Sequence, residues 1–208
     1  MSLSEAIERV RRADEALASM QPAPAPLPVR GLEAVVAGAV TALDSGDWWV
    51  PGLRERAGAV LRGAPVERLV DGTVGARPYK VAPPGTSTVA RALTAVGLAH
   101  ATGQATLVHL GTGSTADGSF HEALNLAAAL DAPVVFLVAV HPLQGAAPLP
   151  RQLHASPAKL AEAFGLAASV VDGNDANAVH DAVTAAKAAL RPSLIEATLR
   201  PDAPVVAS

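Results

Sequence analysis

A glycine turn at Gly111–Ser114 (GTGS) carries the residues whose types and spacing favour chemistry. It follows an apolar run at 105–110 and precedes a helical pattern that begins near Ser119. Glycine amides after a strand can approach a phosphate closely, and the positive end of the next helix lies nearby. The turn therefore predicts an anion site, but the same residues also suit a tight turn that binds nothing. It is not a P-loop, and Gly118 is too distant for a dinucleotide fingerprint.

Strand-like apolar runs alternate with helical patterns around this turn. The strand runs lie at Ala105–Leu110, Pro133–Val140, Ala168–Val171 and Ser193–Leu199. The helical patterns between them lie at Ser119–Leu130, Pro157–Phe164 and Ala176–Leu190. Strands joined by crossover helices favour a parallel sheet. The sequence therefore predicts an α/β fold with a doubly wound, mostly parallel sheet and helices on both faces.

The N-terminal half is predicted to be mostly helical. An amphipathic helix over 1–20 opens with a Ser2/Glu5 capping box, and a Pro/Ala linker follows over 21–30. We expect one α/β domain over 31–208. Within it, the N-terminal helices are predicted at Gly31–Leu43, Leu53–Arg62, Pro65–Val70 and Thr88–Thr102, with a loop over 72–87.

Composition excludes several functional classes. The chain has 208 residues, no cysteine and a net charge of −3. The lack of cysteine excludes disulfides, a thiolate nucleophile and thiolate zinc sites, and the charge gives no reason to expect a nucleic acid or an anionic membrane as a partner. No apolar run reaches the roughly 18 residues of a membrane span, and the N-terminus is unlike a signal peptide. We therefore expect a cytoplasmic protein.

Several segments resemble, in order, the alpha subunit of thiamine-diphosphate-dependent 2-oxoacid dehydrogenases, the first component of the pyruvate and branched-chain complexes. They are GSFHEALNLAAALDAPVVFLV at 118–138, VDGNDANAVHDAV at 171–183, PSLIEATLR at 192–200, and the shorter matches at 31–34, 46–48 and 53–56. The resemblance implies the thiamine-diphosphate-binding fold, thiamine diphosphate with magnesium as cofactors, and a beta-subunit partner. It also implies oxidative decarboxylation of a 2-oxoacid as the family's reaction.

The chain departs from this family at its magnesium ligands. The family motif opens with Gly-Asp-Gly, whose aspartate binds the metal, and Thr112 stands at that position. A second ligand, an asparagine, is replaced by His141. Magnesium prefers hard oxygen ligands with carboxylate charge, whereas imidazole suits zinc or copper. We therefore expect binding of magnesium and thiamine diphosphate to be weakened or lost, and we expect Asp117, on the outer side of the turn, not to replace the lost carboxylate.

The family's phosphate-contacting turn is retained only in part. Arg54 remains, while Leu53 and Arg56 replace its tyrosine and histidine. The two arginines could hold an anion or simply serve solubility. We predict no catalytic residue and no metal ligand in this chain. If cofactor binding is retained, the residues predicted to bind are Arg54, Gly111, Thr112, Gly113 and Ser114.

Further expectations concern three of the other histidines and the segment after the last strand. His100 and His109 are expected in the core with satisfied ring nitrogens, and the ring of His121 is expected to bond near the turn. The family carries a histidine-rich loop after its final strand, and the sequence ends at Ser208 before such a motif. We expect that loop to be absent.

Three functions are compatible with these observations. The first is a divergent, non-catalytic alpha-subunit homologue that is kept for assembly with a beta-like subunit or as a homo-oligomer. The second is an active minimal alpha subunit that decarboxylates a 2-oxoacid together with a beta partner. The third is a regulatory module that binds small anions at the glycine turn.

Overall fold

The computed structural model describes residues 1–20, 28–70, 76–83, 87–141 and 153–200. Five parallel strands form one sheet in the order β1-β2-β3-β5-β4. The strands are β1 (Trp48–Val50), β2 (Thr106–Gly111), β3 (Val134–Val140), β4 (Ala167–Asp172) and β5 (Ser193–Thr198). The predicted α/β fold with a parallel, doubly wound sheet is confirmed.

Helices cover both faces of this sheet. The α-helices are α1 (Leu3–Met20), α2 (Glu33–Thr41), α3 (Ala76–Tyr79), α4 (Thr88–Thr102), α5 (Gly118–Ala129), α6 (Pro157–Ala163) and α7 (Ala176–Ala188). Residues of α1, α2 and α7 form one hydrophobic layer, and residues of α4, α5 and α6 form the other. No helix in the described ranges combines the length and apolar character that crossing a membrane requires.

Strand β3 shows why the sheet lies at the centre. Its sequence VVFLVAV is apolar throughout, and every residue is buried. Because side chains alternate along a strand, Val135 and Leu137 enter the α1/α2/α7 layer, while Phe136 and Val138 enter the α4/α5/α6 layer. A strand with two apolar faces is stable only when both are covered.

The N-terminal helix packs on the body of the protein. The capping box is confirmed, because Ser2 N–H donates to Glu5 Oε2 at 2.7 Å and Glu5 N–H donates to Ser2 Oγ at 3.3 Å. Val10 and Leu17 are fully buried in the same layer as α2. The Pro/Ala linker over 21–30 lies mostly outside the described residues.

The segment after α2 differs from its prediction in one missed strand and in the type of its two short helices. Trp48–Val50 forms the edge strand β1, which the pattern analysis missed because three residues are too few to show a period. The predicted helices Leu53–Arg62 and Pro65–Val70 are 3₁₀ helices at Glu55–Arg62 and Val66–Leu69. Contacts distant in sequence determine their path. A Cβ at Gly58, for example, would lie 2.5 Å from Val36 Cγ1 and 2.8 Å from Trp49 Cη2.

The predicted loop over 72–87 was also only partly right. It contains the four-residue helix α3, and Val81 bridges β1 at Trp49. Residues 71–75 and 84–86 lie outside the described part of the chain. The bridge to β1 depends on tertiary contact, so the local sequence pattern does not predict it.

Candidate functional site

The glycine turn lies at the carboxyl edge of the sheet, between β2 and α5. Gly111 is the last residue of β2 and pairs in register with Ala139 near the end of β3. Thr112–Ser114 forms a short 3₁₀ turn, and α5 begins at Gly118. The fold therefore brings the two family metal-ligand positions, Thr112 and His141, to adjacent strand ends, as the resemblance implies.

Thr112 connects these two strand ends through its side chain. Its hydroxyl donates to the carbonyl of Ala139 at 3.1 Å and accepts from the backbone N–H of His141 at 2.9 Å. Thr112 is 1% exposed, so water does not compete for either hydrogen bond. A neutral hydroxyl bridge thus stands at the position for which the resemblance implies a metal-binding carboxylate.

The residues at these two positions do not fit a magnesium ion. The Thr112 hydroxyl carries no charge, and its proton and one lone pair are already used. The His141 side chain offers an imidazole rather than a hard oxygen. Among the described residues, no group of three or more His, Asp or Glu side chains is placed to hold a metal ion.

The turn is also closed by its own hydrogen bonds. The carbonyl of Thr112 accepts from both the N–H of Thr115 at 3.1 Å and its hydroxyl at 2.7 Å. The ring Nε2 of His121 lies 3.1 Å from the carbonyl of Thr115, which confirms that this ring bonds near the turn. The backbone of the turn is therefore held by the protein itself.

The N-terminus of α5 is capped by an acidic side chain. Asp117 is exposed, as expected for the outer side of the turn, and its Oδ1 accepts from the N–H of Ser119 at 2.9 Å. A carboxylate at this position interacts favourably with the positive end of the helix dipole and repels a phosphate. A Cβ at Gly113 or Gly118 would meet nothing within 4 Å, so packing does not require glycine at either position.

Arg54 holds the polypeptide that leads into α2. Its Nε donates to the carbonyl of Pro28 at 3.0 Å, and its Nη2 donates to the carbonyl of Arg30 at 2.8 Å. These contacts give the retained arginine a structural role, and its cofactor-binding role stays a prediction.

Arg56 lies beside the first helix. It is buried, and burial lowers the pKa of its guanidinium while the nearby carboxylate of Asp14 raises it. Burial raises the pKa of Asp14, which accepts from the N–H of Val29 at 3.1 Å. The second arginine of the predicted anion site thus contributes to the packing of α1.

A buried polar cluster that sequence analysis missed consists of Glu55, Arg91 and His109. Glu55 Oε2 and Arg91 Nη2 both approach the position where a Cβ at Gly52 would lie. Burial, together with the positive charge of Arg91, lowers the pKa of His109 to about 3, so its ring is neutral. Neither Arg91 Nε nor His109 Nε2 has a hydrogen-bond partner among the described residues. The sequence signal that could have indicated this cluster is Arg91, the one Lys, Arg, Asp or Glu residue in the mostly apolar sequence of α4.

The predictions for the two core histidines were wrong in different ways. His100 is exposed, because it lies on the outer side of α4. His109 is buried as expected, but its Nε2 finds no hydrogen-bond partner in the part of the chain that the structure describes. Its ring packs edge-on against Trp49, with ring centroids 5.7 Å apart. An apolar sequence context alone does not distinguish the two sides of a helix.

Comparison with known proteins identifies the family. The model of the dehydrogenase E1 component family matches residues 17–199. The 3-methyl-2-oxobutanoate dehydrogenase subunit alpha of Mycobacterium tuberculosis is 36% identical over 192 residues, which cover 82% of this chain and 51% of that protein. The pyruvate dehydrogenase E1 component subunit alpha of Acholeplasma laidlawii is 32% identical over 189 residues, covering 82% of this chain and 54% of its own length.

A plant relative matches a shorter region. The 2-oxoisovalerate dehydrogenase subunit alpha 2 of Arabidopsis thaliana is 38% identical over 96 residues, which cover 44% of this chain and 20% of that protein. The chain spans about half the length of these two bacterial relatives. On the family match and these identities, the chain belongs to the dehydrogenase E1 component family, among the homologues of its alpha subunits.

Proposed function

We propose that this chain is a non-catalytic homologue of the E1 alpha subunit, with a structural role in assembly. The family depends on thiamine diphosphate. In our proposal, the chain keeps the fold that positions this cofactor but has lost the magnesium site that would anchor its pyrophosphate. The two substitutions affect ligands of the same magnesium ion, because Thr112 and His141 occupy the two ligand positions that the resemblance assigns.

The hydroxyl bridge of Thr112 is the observation that carries this proposal. A metal ion at this place would join the ends of β2 and β3 through its ligands. Here the hydroxyl contacts Ala139 on one side and the N–H of His141 on the other, so the strand ends are connected without an ion. The capping carboxylate of Asp117 further disfavours a pyrophosphate at the start of α5.

The proposed partner is a beta-like subunit. The bacterial relatives are named as alpha subunits, and alpha subunits of this family assemble with beta subunits. We propose that the chain retains this assembly, that it acts in the cytoplasm, and that any catalytic role of the complex depends on other chains.

Native mass spectrometry of the tagged protein, purified from its own host, tests this function because it reads partner mass and bound cofactor together. We expect a complex with a beta-like chain that carries no thiamine diphosphate. A complex that carries the cofactor would refute the loss of the site and indicate an active minimal alpha subunit. Purification as a homo-oligomer, with no second kind of chain, would refute the beta-like partner.

A double variant tests whether the residues at these two positions cause the proposed loss of cofactor binding. Thr112→Asp combined with His141→Asn restores the family's two metal ligands. In the same complex, we expect the double variant to bind thiamine diphosphate with magnesium far more tightly than the natural chain, as measured by calorimetry. Equal affinity of the two proteins for the cofactor would show that these two positions are not what limits binding.

A further inference from the structure

The two edges of the sheet differ in whether another segment forms hydrogen bonds with their backbone. At the β1 edge, Trp49 N–H donates to the carbonyl of Lys80 at 2.9 Å, and Ala82 N–H donates to the carbonyl of Trp49 at 2.8 Å. The segment 80–82 therefore covers that edge. At the opposite edge, β4 pairs with β5 over all six of its residues, and no other strand in the described ranges pairs with it.

The open edge of β4 carries few of the features that protect edge strands. Natural proteins usually guard such edges with lysine, proline, bulges or a covering loop. The sequence of β4 is AASVVD, in which Asp172 at the end is the single charged residue. Val170 is 59% exposed in the middle of the strand. An exposed apolar strand with unpaired backbone groups is a template for pairing with another strand.

We propose that β4 pairs antiparallel with β4 of a second copy of this chain, around a two-fold axis at Val170. A two-fold axis perpendicular to the sheet keeps each face of the sheet on its own side, so directly opposed residues must share a face. A register with Val170 opposite Val170 satisfies this condition and places Ser169 opposite Val171. The most exposed apolar side chain of the strand then lies at the centre of the contact, within one continuous sheet.

Charge complementarity favours a second copy as the occupant. Helix α6 packs against β4 and carries two exposed charges one turn apart, Lys159 and Glu162. No ion pair in the described part of the chain uses either side chain. The two-fold axis sets the two α6 helices antiparallel on the same face, so Lys159 of each copy faces toward Glu162 of the other. This inference goes beyond the proposed function and does not depend on the cofactor site.

Light scattering after size exclusion tests the interface on the isolated chain. We expect a mass twice the 20.9 kDa of one chain. Val170→Lys places two like charges at the axis and should yield monomers, whereas Leu190→Lys, at a site that is 57% exposed elsewhere, should leave the dimer intact. A monomeric natural chain, or a Val170→Lys protein that stays dimeric, would overturn the proposal.

A cysteine variant gives a readout that does not depend on weakening the interface. The chain contains no cysteine, so Val170→Cys introduces a single thiol. We expect oxidation to join two copies through Cys at the axis, and we expect the control Leu190→Cys to remain unlinked under the same conditions. Equal cross-linking of the two variants would show random collision rather than the proposed pairing.

A charge exchange tests the orientation of the two copies. Lys159→Glu or Glu162→Lys alone should weaken the dimer, and the two changes together should restore it, because the opposite signs face each other again. A double variant that is no tighter than either single variant would refute the antiparallel arrangement of α6.

Discussion

Replacing Thr112 by valine tests whether its hydroxyl holds the ends of β2 and β3 together. Valine keeps the shape of threonine but neither donates to the carbonyl of Ala139 nor accepts from the N–H of His141. Each buried group that loses its partner costs about 1–3 kcal/mol. For the two groups together, we therefore expect Thr112→Val to lower the free energy of unfolding by about 2–6 kcal/mol, as measured by urea denaturation.

Thr112→Ser is the matched control for this variant. Serine keeps the hydroxyl and removes one buried methyl group, which is worth about 1 kcal/mol. If Thr112→Val destabilises the protein no more than Thr112→Ser, the bridge does not hold the strand ends and the reasoning is wrong. A denaturant slope unchanged between the three proteins is required for the comparison, because a changed slope reports an altered folded or unfolded state.

Three further predictions concern packing and ionisation. Gly38→Ala should destabilise the protein by about 1–3 kcal/mol in thermal or urea unfolding, because a Cβ there would collide with the carbonyl of Ala176, while Gly97→Ala, with nothing within 4 Å, should stabilise α4 by up to about 1 kcal/mol. Lys187 Nζ lies 2.5 Å from Asp44 and 3.1 Å from Asp47, and its hydrogen bond lowers the pKa of Asp44. This ion pair therefore stabilises the protein fully above pH 3.8, the ordinary pKa of the carboxyl, and the stabilisation is lost as the pH falls through the lower pKa of Asp44 in the folded protein. The difference in free energy of unfolding between Lys187→Met and the natural chain should therefore shrink on acidification. A difference that stays constant with pH would contradict this. Burial, together with the positive charge of Arg91, lowers the pKa of His109 from 6.5 to about 3. Between these two pH values the unfolded chain binds more protons than the folded chain. The free energy of unfolding should therefore fall by roughly 1.4 kcal/mol per pH unit as the pH drops from 6.5. His109→Phe should remove that contribution to the slope, and an unchanged pH profile would show that His109 titrates normally.

Local patterns predicted the second half of the chain closely. The apolar run at 133–140 became β3 at Val134–Val140, and the helical pattern at 157–164 became α6 at Pro157–Ala163. These segments combine a clear period with terminal signals, such as Ser156 Oγ accepting from the N–H of Lys159 at the start of α6. The region around 48–82 was predicted less well, because β1 has three residues and its outer partner lies about thirty residues later.

The sequence predicted which residues form the candidate site but not what their side chains contact. The resemblance assigned the family's ligand positions to Thr112 and His141, and the fold brings these two residues together. Spacing did not predict that Arg54 would bond the carbonyls of Pro28 and Arg30, since that contact spans 26 and 24 residues. The direction of a long side chain depends on which acceptors the tertiary fold brings near it.

The sequence by itself determined the order of strands and helices from about residue 88 onward, the family, and the presence of threonine at the position that the resemblance assigns to a metal-binding carboxylate. Those properties follow from local periodicity and from the identity of single residues. The tertiary structure alone decided that the Thr112 hydroxyl joins two strand ends and that Glu55 and Arg91 meet at Gly52. It also decided that, within the described residues, no second strand pairs with the outer edge of β4. The physical reason is that the partners of Thr112 lie 27 and 29 residues away, so hydrogen bonding and edge exposure are set by strand order, which no local pattern encodes.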